Sequence, residues 1–173
     1  MGSAATRMLA TPIVGGSGHV IIRVLMQAPI AGTQASQATV GNTNGLTDGH
    51  FIFGDLPQLD VGAENWGMQT AGFRCYSNKP VLAGTTTLLV ARIDFDASVY
   101  NDRMRMWVNP PTPFNIGTLM ATSTDIDVTL SNVSQVAGLF WQTQQNQTID
   151  EIAVYTGAVA NFSGTPTNTG PCY

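Results

Sequence analysis

The chain has 173 residues, one domain's worth, with room for a two-layer core. Only 10% of residues are charged, 7 basic and 11 acidic for a net −4, which is under half the usual share. A hydrophobic fraction of 43% excludes a disordered chain, a single lysine with scattered arginines speaks against binding nucleic acid, and no apolar run is long enough for a membrane span.

In chain order, MGSAATRMLATPIVGG lacks a basic region followed by an apolar one, so no secretory leader is expected in it. Residues 19–27, HVIIRVLMQ, place Val20, Ile22, Val24 and Met26 on one face. Residues 85–95, TTTLLVARIDF, send Leu89, Ala91, Ile93 and Phe95 one way and Leu88, Val90, Arg92 and Asp94 the other. In DRMRMWVNP, Met104, Met106 and Val108 are expected inward, with Arg103, Arg105 and Trp107 outward. TDIDVTL buries Ile126, Val128 and Leu130 and exposes Asp125, Asp127 and Thr129; TIDEIAVY groups Asp150 with Ile152 and Val154. Turn signals separate these runs, among them Asn44-Gly45, Asp48-Gly49, Ala83-Gly84, Asn101-Asp102 and Pro110-Pro111. No window carries helical periodicity with a credible cap, so at most one short helical turn is expected. The pattern predicts an all-β, antiparallel two-sheet sandwich over 1–157 and a polar C-terminal arm over 158–173.

Cys75 and Cys172 show no CxxC spacing. In an oxidising compartment they can form a disulfide that pins the arm; otherwise they are two free thiols.

Three segments together resemble the laminin-G-like, concanavalin A-like jelly-roll domains of large secreted proteins of environmental bacteria. They are HVIIRVLMQ, then NWGMQTAG with AGTTTLLVARIDFDASVYNDRMRMWVNP, and finally TIDEIAVYTGAV. The resemblance implies a two-sheet jelly roll, an extracellular setting and no catalysis. Such domains carry a further strand before the stretch matching Met8–Val14. Its lack here leads us to expect a sheet one strand short at an edge, filled or covered by a neighbouring chain.

Glucanases of the jelly-roll type use a Glu-x-Asp-x-x-Glu strand, which the sequence does not contain. Its glutamates, Glu64 and Glu151, stand far apart, so no enzyme is expected. The loop DFDASVYND gathers Asp94, Asp96, Asn101 and Asp102, hard oxygen ligands that suit calcium, although a solvated hairpin uses the same residues. No other cofactor is expected. Asp150, sharing the parity of Ile152 and Val154, is expected buried and clasped by hydrogen bonds. Trp66, Trp107, Trp141 and Tyr100 are the aromatic candidates for stacking on a glycan or for contacting another subunit. Sequons at Asn132, Asn146 and Asn161 are close to the number chance supplies, and His19 and His50 read as ordinary strand residues.

A sandwich of this length exposes roughly 8,000 Å², or one charge per about 450 Å². An exterior so poor in charge removes the repulsion that keeps proteins apart. The expected function is therefore an extracellular, non-catalytic structural protein whose partners are copies of itself, in a filament, surface layer or shell. The alternative is a carbohydrate-binding or adhesion module with glycans as partners.

Overall fold

The computed structural model describes residues 3–14, 18–28, 36–41, 51–56, 65–70, 73–96, 102–111, 115–122, 124–130, 135–143, 148–156, 162–164 and 172. Among the described residues, eleven strands fall into two sheets. In order along the chain they are β1 (Ser3–Val14), β2 (Gly18–Gln27), β3 (Ser36–Gly41), β4 (Phe51–Leu56), β5 (Asn65–Thr70) and β6 (Phe73–Pro80). There follow β7 (Thr86–Phe95), β8 (Asp102–Val108), the single turn α1 (Ile116–Leu119), β9 (Ile126–Leu130), β10 (Gln135–Thr143) and β11 (Thr148–Thr156). One sheet has the order β1-β10-β3-β4-β5-β6 and the other β11-β2-β7-β8-β9. Neighbouring strands in both are antiparallel.

Alternation decides which face each strand buries. In β2, Val20, Ile22, Val24 and Met26 reach the interior, and β7, paired with β2 from Gly18↔Phe95 to Gln27↔Thr86, adds Leu89, Ala91 and Ile93. Met104, Met106 and Val108 from β8 join them, and Phe53, Trp66, Met68 and Cys75 close the core from the six-stranded sheet. The strand around Met8–Val14, expected to lie beside a vacant edge, is β1 itself. It forms the edge of the six-stranded sheet and pairs with β10 from Ser3↔Thr143 to Val14↔Gln135.

A second apolar cluster covers the outer face of the five-stranded sheet, the face on which Trp107 is expected to meet a glycan or another subunit. Ile21, Val90 and Trp107 point away from the sandwich interior yet are buried beneath Leu119, Met120 and Phe162. The cover is held by backbone chemistry. Asn115 caps α1, its Oδ1 accepting from the N–H groups of Gly117 at 2.8 Å and Thr118 at 3.2 Å. Ser163 and Gly164 then donate their N–H groups to the Met120 carbonyl at 2.8 and 2.9 Å. Gly164 permits that approach, because a Cβ there would stand 2.3 Å from the Thr122 carbonyl oxygen.

Two departures from simple alternation matter. Asp150↔Leu25 and Ala153↔Arg23 bracket a β-bulge, with Glu151 at φ 48°, that puts two residues opposite Val24. The expected burial of Asp150 is thereby corrected. The extra residue breaks its parity with Ile152 and Val154, leaving Asp150 exposed with its Oδ1 accepting from the Glu151 N–H at 2.7 Å. The second departure lies in β6, where the register shifts between Gly67↔Tyr76 and Asn65↔Pro80. Beyond that shift Lys79 crosses to the other sheet, donating to the Val108 carbonyl and pairing with Asp125 at 3.0 Å. Asp125 also accepts the Val108 N–H at 2.7 Å. The chain's one lysine thus latches the two sheets together on the β6–β9 side.

Candidate functional site

Because Phe53, Trp66, Met68 and Cys75 face the core, their strand neighbours face outward. The pairings Ile52↔Gln69↔Arg74 and Gly54↔Gly67↔Tyr76 therefore set rows across the outer face of β4, β5 and β6. Arg74 Nε donates to Gln69 Oε1 at 2.8 Å, and Arg74 Nη1 donates to the Tyr76 hydroxyl at 3.4 Å. Glycines below make this arrangement compact. A Cβ on Gly67 would meet the Cys75 carbonyl oxygen at 2.9 Å and Tyr76 Cδ1 at 3.1 Å, so the tyrosine ring lies directly against the bare backbone. A guanidinium, a carboxamide and a phenol are thus held on one sheet face, Gln69 and Arg74 half-buried and Tyr76 buried. Gln69 and Arg74 bring directional donors and acceptors to the surface, which suits a ligand rich in hydroxyl groups, while the fully buried Tyr76 supports the guanidinium from beneath.

Residues picked out by sequence lie elsewhere. Trp66 and Trp107 are each 1% exposed, which corrects their reading as stacking platforms, since neither presents a ring to a ligand. Trp66 belongs to the core. Trp107 does point out of the sandwich, as its parity predicts, but it lies in the covered cluster. Its Nε1 donates to the Thr122 carbonyl at 3.3 Å, and Phe162 meets it edge-on with ring centres 6.0 Å apart. Trp141 sits in β10 opposite Ala5 and Ala38, with its side chain outside the described residues, as is the whole of Tyr100.

The four residues weighed for calcium are engaged differently from one another. Asp94 accepts from Arg92 Nε at 2.7 Å and from Arg105 Nη1. Asp102 is buried and its Oδ1 accepts the Asp96 N–H at 2.9 Å. Asp96 is exposed, and Asn101 lies outside the described residues. Among the described residues no three His, Cys, Asp or Glu side chains form a metal-holding group. Cys75 and Cys172 are joined in a disulfide, and the two residues also pair as an isolated antiparallel bridge at the outer edge of β6.

Asp94 and Asp127 instead organise an ionic ladder across β7, β8 and β9. Asp127, its side chain 1% exposed, accepts from Arg103 Nε at 2.6 Å and Nη2 at 3.0 Å, and from Arg105 Nε at 3.2 Å. Arg105 also lies over the Phe162 ring, 4.2 Å from its centre. The Asp127 hydrogen bond raises the Arg103 pKa above its ordinary value.

Sequence reasoning missed the Gln69–Arg74–Tyr76 trio. The available signal was NWGMQTAGFRCY, in which two polar positions flank a short connection and register brings them face to face.

No protein-family model matches this chain, and no curated protein sequence is significantly similar to it. Among solved structures, CG-16, a homodimeric agglutinin from chicken liver, superposes with a TM-score of 0.52 at 12% identity, covering 88% of this chain and 100% of that one. A protein of unknown function from Shewanella oneidensis MR-1 aligns over 90% of this chain and 72% of its own, with 11% identity and a TM-score of 0.31. The likeness to the agglutinin establishes the fold as a two-sheet antiparallel sandwich of the jelly-roll type.

Proposed function

We propose that this protein is a non-catalytic, secreted carbohydrate-binding sandwich whose ligand lies over the outer face of β4, β5 and β6. The observation that carries the reading is the Gln69–Arg74–Tyr76 cluster, set on a fold shared with an agglutinin over that protein's full length. Sugar hydroxyls donate and accept at once, and planar groups already fixed by mutual hydrogen bonds lose little entropy in meeting them. Two of the acidic groups that could have served hydrolysis, Asp94 and Asp127, are committed to arginines, which favours binding over turnover. The disulfide supports an oxidising, extracellular setting, as the resemblance to secreted laminin-G-like domains implies.

The test is a glycan array probed with the wild-type protein, Gln69→Ala, Arg74→Ala, and Leu82→Ser as an exposed control beyond the end of β6. Wild type and Leu82→Ser are expected to bind the same glycans. Loss of a charge-assisted hydrogen bond at Arg74 should weaken binding by about tenfold or more. An array without signal, or equal binding by Arg74→Ala, would overturn the proposal.

Self-association is a second reading, favoured by charge. Of the chain's 18 charged side chains, Arg23, Lys79, Arg92, Asp94, Arg103, Arg105, Asp125, Asp127 and Glu151 are already in ion pairs. A net charge of only −4 over the whole chain leaves little repulsion between two copies.

A further inference from the structure

Cys75 stands between Arg74 and Tyr76 on β6, its side chain on the core face and theirs on the outer face. On one side β6 is hydrogen-bonded to β5; on the other it ends the sheet. Among the described residues two ties hold that side. Near its middle the disulfide and backbone bridge tie Cys75 to Cys172, and toward its end Lys79 reaches Asp125 and Val108 on the opposite sheet. Without the first tie, the stretch carrying Arg74 and Tyr76 would lose its anchor on the edge side while keeping its pairing with Gly67, Met68, Gln69 and Thr70.

We infer that the Cys75–Cys172 disulfide sets the geometry of the Gln69–Arg74–Tyr76 face, so that reduction by a dithiol switches the face to a weakly binding state. The ligand half of this inference rests on the carbohydrate-binding reading; the mechanical half does not. Cys172 is exposed and Cys75 is 1% exposed, so the attack falls on Cys172. A thiolate of the dithiol bonds to Cys172 Sγ, breaking the S–S bond and releasing Cys75 Sγ as a thiolate, which takes up a proton. The second thiol of the reductant then attacks its own sulfur in the mixed disulfide and frees Cys172. Two electrons pass to the protein, and the reductant leaves as a cyclic disulfide. Expelling a thiolate toward the core is costly, so exchange is slow and the oxidised state persists until a dithiol is supplied.

The experiment compares oxidised wild type, dithiol-reduced wild type and Cys172→Ser on the same glycan array, and follows amide hydrogen exchange in all three. Reduction is expected to lower array affinity by about tenfold and to speed exchange at 74–78 by about a hundredfold, while β2 and β7 stay protected. Cys172→Ser should match the reduced protein and ignore the reductant. Equal binding with unchanged β6 exchange overturns the inference, as does loss of protection throughout the chain, since that is global unfolding. If no form binds any glycan but β6 exchange still rises, the ligand assignment fails and the mechanical coupling stands.

Discussion

Asp127 shows how this molecule uses its few charges. Its carboxylate is almost wholly buried because Arg103 and Arg105 close over it, one by a two-pronged contact and the other by a single hydrogen bond. Arg105, 8% exposed in its side chain, spans Asp127 and Asp94. Removing Asp127 leaves a buried guanidinium with half its compensation. Asp127→Ala is therefore expected to cost about 3 kcal/mol in urea unfolding, and a loss under about 1 kcal/mol would show that the ladder is loosely solvated. On the arginine side the ladder is insensitive to pH. A base whose pKa is raised in the folded state contributes stability that is fully present below its unfolded value and lost as pH rises through the folded one, and for Arg103 both lie far above neutrality. Asp150 is the contrast. It is exposed, and its carboxylate accepts the N–H of its own neighbour Glu151. Asp150→Ala should change stability by no more than about 0.5 kcal/mol, whereas a loss of several would restore the buried clasp that simple alternation suggested.

Among the strands, legibility divides by sheet. All five members of the sheet β11-β2-β7-β8-β9 were visible as alternating runs, because each is amphipathic over most of its length. The other sheet was not. FIFGDL and NWGMQT interrupt their alternation with glycine and small polar residues, and SQATVG has one large apolar side chain. Those same glycines build the candidate face, so the feature that hid the strands is what gives the face its shape. Outward parity was correct for Trp107, but parity along a strand carries no information about α1 and residues 162–164, which come to lie over it. The bulge at Glu151 was equally hidden, since one inserted residue reverses every assignment before it. Gly67→Ala tests the face at this scale. With the Cys75 carbonyl only 2.9 Å from the added Cβ, backbone must move. The variant is expected to lose about 1–3 kcal/mol and to displace the Tyr76 ring, seen as changed tyrosine resonances. An unperturbed Tyr76 would mean that the close packing of β5 and β6 is more forgiving than the geometry implies.

For the whole molecule, ion pairing and shortage of charge act together. Five of the seven cations are already neutralised within the fold, so the exterior is poorer in free charge than composition alone suggests. Sedimentation velocity at micromolar concentration is expected to show a dimer or larger species; a lone monomer would remove self-association and leave glycan binding untouched. The jelly-roll sandwich itself supplies a scaffold and no chemistry, since one fold hosts many activities, and function has to be argued from the outer face of β4, β5 and β6. Amide chemical-shift mapping of the oxidised protein, titrated with the glycan that gives the strongest array signal, asks that question directly. Shifts should concentrate at Gln69, Arg74 and Tyr76 and fade across the opposite sheet. Shifts confined to the Arg103–Asp127 ladder, or to the edge strands β1 and β11, would place the ligand elsewhere and contradict the assignment of this face.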